Sequence, residues 1–205
     1  MEEREQITIA EYQLTAESFR VGTWDHDVSQ NREALVAAMP RNPGKILDLG
    51  CGPGRDLVAF SQQGHEVVGL DATPAFVEYA RNILGCEVWQ QSFLSLDLPP
   101  NTFDGIFANA SLIHVPGDRM VAVLQALYQS LVPGGAIVMS MARGSGEGFN
   151  SRPTGDRYVS FWEYETLAPC LLDAGFEIGH HYYRPPGLPI SAQSWVVIVA
   201  GKAQT

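Results

Sequence analysis

The stretch Lys45–Asp56, KILDLGCGPGRD, runs a short apolar strand into an acid and then sets glycines at positions 50, 52 and 54. KILDL reads as a strand, and GCGPG cannot continue it, because glycine populates positive φ freely and proline cannot donate to a ladder. The dinucleotide pattern G-x-G-x-x-G would need a third glycine at position 55, where Arg55 stands, and no G-x-x-x-x-G-K-[ST] run occurs. Pyrophosphate is therefore not the group this turn is shaped for. Asp48, two residues before Gly50, would repel a phosphate and suits a ligand carrying cationic groups. Asp71 ends the next strand, EVVGLD, where an acid accepts hydrogen bonds from ribose hydroxyls. Together these residues ask for a nucleoside with a positively charged tail.

Outward from the turn, strand and helix patterns alternate. Residues 6 to 20 have loosely helical spacing, and Ser29 is placed to cap a helix running to about Met39. Arg55–Gln63 reads as a helix, as does TPAFVEYARNIL, with Thr73 as N-cap and Pro74 at its first position. CEVWQQ and FDGIFANA read as strands three and four. Met120, Val123, Leu124, Leu127 and Leu131 recur at helical spacing, and PGG then turns the chain into AIVMSMA. A glycine-rich loop over residues 143 to 158, a helix near Glu163–Ala174 and strands around Ile178–Tyr183 and Trp195–Ala200 follow. The alternation predicts an α/β fold with a largely parallel sheet and helices on both faces. Its ligand edge lies at the carboxyl ends of the strands.

The 205 residues are close to a one-domain length, read here as a helical cap over residues 1–40 and a cofactor-binding core over 41–205. A net charge of −10 with no basic run argues against nucleic acid or an anionic membrane as partner. Cys51, Cys86 and Cys170 are widely spaced, so neither a disulfide framework nor a metal knuckle is expected. The acidic start MEEREQITIAEYQ is unlike a secretory signal, and a cytoplasmic setting is the expectation. The expected partner is a small molecule, with the chain a monomer or homodimer.

ILDLGCGPG, VVGLDATP, FDGIFANASLIHV and LVPGGAIVM, in this order, resemble the Rossmann-like class I S-adenosylmethionine-dependent methyltransferases. GCGPGRD, FANASLIHVP and GSGEG are further similar to small bacterial enzymes near the tellurite-resistance-type methyltransferases. The resemblance implies a seven-stranded, mostly parallel sheet with its last strand antiparallel, and an N-terminal helical lid. It implies S-adenosylmethionine as cofactor and S-adenosylhomocysteine as product. Asp48, Gly50, Cys51, Gly52 and Gly54 would surround the methionine part, Asp71 the ribose and Ala72 the adenosine. Ser92 and Phe93 would meet the adenine, with Ser92 standing where the common pattern has an acid. Asn109 and Ala110 would lie beside the methyl.

Methyl transfer from a sulfonium needs alignment and desolvation, and a base only where the nucleophile arrives protonated. His114, just past the fourth strand, is the candidate base, its ordinary pKa of about 6.5 suiting proton abstraction. His26, Trp24 and Tyr12 in the amino-terminal segment are candidate acceptor contacts. So are Arg143, Glu147, Arg157 and Tyr158 in the stretch RGSGEGFNSRPTGDRY, whose arginines suit a carboxylate or phosphate. The expected activity is O- or N-methylation of a small, anionic molecule. Methylation of sulfur or a metalloid, which needs no base, and a non-catalytic S-adenosylmethionine-binding role are the alternatives.

Overall fold

The computed structural model describes residues 2–204. Two helices, α1 (Glu3–Thr23) and α2 (Ser29–Ala38), precede the first strand, β1 (Lys45–Leu49). Then come α3 (Arg55–Gln62), β2 (Glu66–Asp71), α4 (Pro74–Leu84), β3 (Glu87–Gln90), β4 (Phe103–Asn109), α5 (Met120–Ser130) and β5 (Leu131–Ala142). A hairpin of β6 (Glu147–Arg152) and β7 (Gly155–Ser160) is followed by α6 (Tyr164–Asp173), β8 (Glu177–Arg184) and β9 (Trp195–Gly201).

Seven strands form one sheet in the order β3-β2-β1-β4-β5-β9-β8. β1 to β5 are parallel to one another, and β9 is antiparallel to both of its neighbours. This is the Rossmann-like α/β architecture with an antiparallel last strand. Strand order reverses between β1 and β4, so a crevice opens beyond their carboxyl ends, at Asp48 and Asn109. Side-chain alternation sorts the core into two layers. Ile46, Phe107, Val138, Val197 and Val199 pack with Leu35 of α2, Leu57 and Phe60 of α3 and Val77 of α4. On the opposite face, Leu47, Ile106, Val196 and Ile198 pack with Leu124 and Leu127 of α5 and Leu167 and Leu171 of α6. Covered on both faces, the central strands read as near-continuous apolar runs.

The structure departs from the sequence reading in four local places. The oxygen at the start of α2 comes from Asp27, whose Oδ1 accepts the Ser29 N–H at 2.9 Å; Ser29 is already the first helical residue. PGG is no turn between elements: Pro133–Gly135 lies within β5, where the pairing with β4 slips between Phe103 and Gly105 and Gly134 takes φ of +78°. The stretch 143–158 is not an open loop, since β6 and β7 pair through it from Glu147↔Ser160 to Arg152↔Gly155. His180 and His181 do not alternate in and out. Both are exposed on the edge strand β8, which is irregular between Ile178 and His180.

Candidate functional site

The turn after β1 is fixed by backbone. Gly50 and Cys51 both donate their N–H to the Leu70 carbonyl, at 2.7 and 3.0 Å, which pins the turn to the neighbouring strand. Gly50 sits at φ +74°, and a Cβ there would lie 2.4 Å from Ser111 Cβ and 3.1 Å from Phe93 Cζ. At Gly52, φ +52°, a Cβ would meet only Phe19 Cε1 of α1, at 3.8 Å, and the Gly52 N–H donates to Asp71 Oδ2 at 3.0 Å. Gly54 faces away: a Cβ there would lie 3.2 Å from Ala80 Cα of α4, so the glycine serves packing. The other oxygen of Asp71 accepts the Thr73 N–H at 2.8 Å. Each carboxylate oxygen has two lone-pair directions, so Asp71 keeps capacity to accept from a ligand.

Both acids at the strand ends are buried, and burial raises the pKa of each. Asp48 is pushed well above the ordinary carboxylate value, first by burial and then by the nearby Asp56 and Asp71. Its Oδ2 has no hydrogen-bond partner among the described residues, and neither has Ser111 Oγ. A cation brought to this point would relieve a buried, unpaired acid.

These groups open into a cavity of about 1040 Å³. Its floor is the sheet edge, and its roof is α1. Glu5, Thr8, Tyr12, Thr15 and Phe19 fall at three- and four-residue spacing along that helix and all line the cavity. The helix is held down by Glu11, whose carboxylate receives Arg157 Nε and, at 2.7 Å, Thr154 Oγ1 from the β6–β7 hairpin. Burial opposes the charge on Glu11, but the Arg157 and Thr154 bonds outweigh it and hold its pKa below the usual value. Arg157 also lies over the Tyr12 ring, 3.8 Å from its centroid.

His114 joins roof to floor. Its Nδ1 lies 2.7 Å from the Tyr158 carbonyl oxygen, which can only accept, so the ring proton belongs on Nδ1. Nε2 therefore offers a lone pair, and Tyr12 Oη donates to it at 2.9 Å. Burial pulls the His114 pKa down to about 4, against which the Tyr158 carbonyl pulls the other way. The ordinary value assumed from sequence does not hold here, since this imidazole is neutral at physiological pH and already occupied.

Of the residues singled out in the sequence, Asp48, Gly50, Cys51, Gly52, Asp71, Ala72, Phe93, Asn109, Ala110, His114, Tyr12, His26 and Arg157 line the cavity. Ala110 does so at φ +58°, a left-handed conformation uncommon outside glycine. Gly54, Ser92, Trp24, Arg143, Glu147 and Tyr158 are not part of that wall. Ser92 Oγ bonds Glu5 and accepts the Leu94 N–H at 3.1 Å. Arg143 is spent on Glu163 at 3.0 Å and on the Gln193 carbonyl at 2.9 Å, and it stacks on Tyr183. Glu147 accepts the Gly117 N–H at 2.8 Å, and Tyr158 is buried beside Phe149, its hydroxyl pKa raised to about 12 by burial and by Glu147. The sequence reading overlooked Glu5, Asn31, Phe76 and Arg184, all in the wall, and took Arg152, also there, only as one of three arginines in its stretch. Arg152 is the one with chemistry to spare: its side chain makes no hydrogen bond or ion pair among the described residues, although its charge acts on Glu11. Only its place in an arginine-bearing stretch hinted at it.

Residues 46–135 match the family described as a methyltransferase domain. Over 110 residues, 52% of this chain and 42% of the relative, the sequence is 36% identical to trans-aconitate 2-methyltransferase of Methylobacterium radiotolerans. It is 29% identical over 178 residues to the ubiquinone biosynthesis O-methyltransferase of Xanthomonas campestris, covering 83% of this chain and 68% of that one. The chain spans about half the length of most of the curated relatives it matches, the trans-aconitate enzymes among them. Among solved structures, Burkholderia thailandensis 1,6-didemethyltoxoflavin-N1-methyltransferase, with bound 1,6-didemethyltoxoflavin and S-adenosylhomocysteine, superposes with a TM-score of 0.74 at 26% identity. That match covers 97% of this chain and 88% of the other.

Proposed function

We propose that this protein is an S-adenosylmethionine-dependent methyltransferase of class I whose acceptor is a small, anionic molecule. The observation that carries the reading is Asp48: a buried carboxylate with an unpartnered Oδ2, facing one cavity with Asp71 beyond a glycine turn that leaves room for a ligand backbone-close. That donor set fits the cofactor. Asp48 would take the cationic tail, Asp71 the ribose hydroxyls, and the open face of Gly52 the chain between them. Ala72 and Phe93 would line the adenosine, with Asn109 and Ala110 on the far side. When bound, S-adenosylmethionine supplies an electrophilic methyl group on a sulfonium.

The protein's own part is to seal, position and manage one proton. Residues 1–40 act as a cap on the 41–205 core, with α1 excluding water from the cavity. Tyr12 Oη can accept a hydrogen bond from an acceptor O–H or N–H while its own proton stays on the His114 Nε2 side. Because His114 is held near a pKa of about 4, it makes a poor resting place for a net proton. This favours an acceptor that arrives already ionised, such as a carboxylate or an acidic phenol or enol, and it leaves base-free sulfur chemistry as the second reading. Arg152, unpaired at the cavity wall, is the cation for such an acceptor, in place of Arg143 and Arg157, which are engaged elsewhere. The methyltransferases named above, for trans-aconitate and in ubiquinone biosynthesis, support a small-molecule acceptor.

Calorimetric titration with S-adenosylmethionine, S-adenosylhomocysteine and NAD tests the cofactor. Micromolar binding of the adenosyl ligands and none of NAD is expected. A release assay for S-adenosylhomocysteine over a panel of small carboxylates and phenols, trans-aconitate included, then tests the acceptor. A panel in which only neutral amines turn over would remove the anionic reading.

A further inference from the structure

One carboxylate in the cavity has no role in the reaction so far described. Glu5, in the first turn of α1, lines the cavity along with Phe93 and Leu94, and its Oε2 is buried with no hydrogen-bond partner among the described residues. Its other oxygen is held by Ser92 Oγ, which in turn accepts the Leu94 N–H. The carboxylate is thus held at one oxygen, with Oε2 left over on a residue of the cavity wall. A buried carboxylate oxygen without a donor is costly, so this position calls for a ligand N–H.

The sheet tells which part of a ligand arrives there. Asp71 ends β2, and β3 is the next strand outward, so a ligand whose ribose sits at Asp71 continues toward the loop after β3. That loop offers the flat apolar surface of Phe93 and Leu94, against which a base can stack. We infer that Glu5 Oε2 reads the exocyclic amino group of the cofactor's base, making the cap helix the element that selects a 6-amino purine over a 6-oxo one. This inference rests on the cofactor reading given above. The chemistry is one-directional: an ionised carboxylate only accepts, so an amino group gains a bond while a 6-oxo group meets two opposed acceptors. Ser92 is a positioning residue that keeps Glu5 in this orientation.

The test compares binding of S-adenosylhomocysteine and its 6-oxo analogue, S-inosylhomocysteine, by calorimetry. Wild type should prefer the amino ligand by at least about tenfold, the scale of a hydrogen bond to a charged group. Glu5→Ala should lose most of that preference by weakening the amino ligand. Glu5→Gln, whose amide can turn its NH₂ toward a 6-oxo group, should gain affinity for the inosine analogue, an effect no general loosening of the helix would give. Ser92→Ala should fall between wild type and Glu5→Ala. Wild-type preference carried unchanged into Glu5→Ala and Glu5→Gln, with S-adenosylhomocysteine still bound, would overturn the inference and leave the cofactor assignment standing. Failure of wild type to bind either ligand would overturn both.

Discussion

Tyr12 Oη donates to His114 Nε2 at 2.9 Å, although 102 residues separate them. This single bond ties the cap helix to the loop after β4, and it consumes the lone pair through which His114 would otherwise act. The imidazole cannot swing away, because its Nδ1 is bonded to the Tyr158 carbonyl on the hairpin that also anchors α1. Helix α1, the hairpin and the loop after β4 are therefore joined through one imidazole. The same geometry that covers the cavity makes His114, the base candidate of the sequence, a fixed hydrogen-bond acceptor.

The pH response of folding should show this histidine. Its folded pKa is about 4, while the unfolded chain has about 6.5. Between those values the unfolded state binds the extra proton, so stability is fully present above about pH 6.5 and is lost as pH falls toward 4. Urea denaturation of wild type should lose about 2 kcal/mol between pH 7 and pH 5 from this group alone. His114→Gln should lose that much less over the same interval, and equal losses in the two proteins would reject the burial argument.

Asp48 should report cofactor binding through protons. Burial raises its pKa in the free protein, and an incoming ammonium or sulfonium would lower it, so binding of the adenosyl ligand should release protons. Calorimetry in buffers of different ionisation enthalpy, between about pH 5 and 8, measures that number directly. Asp48→Asn should abolish the release and weaken binding by tenfold or more. Proton release that persists in the variant would assign it to another group.

Two glycines separate steric from conformational cost. Gly50→Ala places a Cβ 2.4 Å from Ser111 Cβ at φ +74° and should cost roughly 2–4 kcal/mol. Gly64, at φ +88°, has nothing within 4 Å of the same position, so Gly64→Ala should cost about 1–2 kcal/mol. Chemical denaturation of the pair gives the difference, and similar values would mean that the turn yields to make room.

The Glu11–Arg157 pair is almost fully buried, with side chains 2% and 9% exposed. Arg157→Met strands the carboxylate, as Glu11→Leu strands the guanidinium. Each single change should cost roughly 3–5 kcal/mol and weaken S-adenosylhomocysteine binding, because the roof loosens. Changing both together should restore most of the stability. A double variant as unstable as the sum of the singles would show that the pair does more than neutralise itself.

The glycine turn and its two acids were legible because their chemistry is local: Asp48, Gly50, Gly52 and Asp71 declare their needs through spacing within one strand-turn-helix unit and the next strand end. The layered sheet was legible for the same reason, as strand and helix periods change over at glycine and proline. The roof was not. The face that α1 turns to the cavity mixes Glu5, Thr8, Tyr12 and Thr15 with Ile9 and Phe19, which leaves no continuous apolar stripe to read. Which arginine of the hairpin stays unpaired depends on Glu11, 146 residues from Arg157, and no local pattern carries that information. Likewise the open run of glycines at 144, 146 and 148 hid a hairpin, whose partner strand is set by pairing rather than by propensity.

β9 lies between β5 and β8, yet the ribosome makes it after both. While the chain is being synthesised, β5 presents an open edge and β8 has no neighbour in the sheet to join. Residues Trp195–Gly201 pair with both, closing the edge of β5 and joining β8 to the sheet. Vectorial synthesis therefore leaves the nascent sheet with an exposed edge until the final strand emerges, and it is in that interval that the chain is most vulnerable to pairing with a stranger.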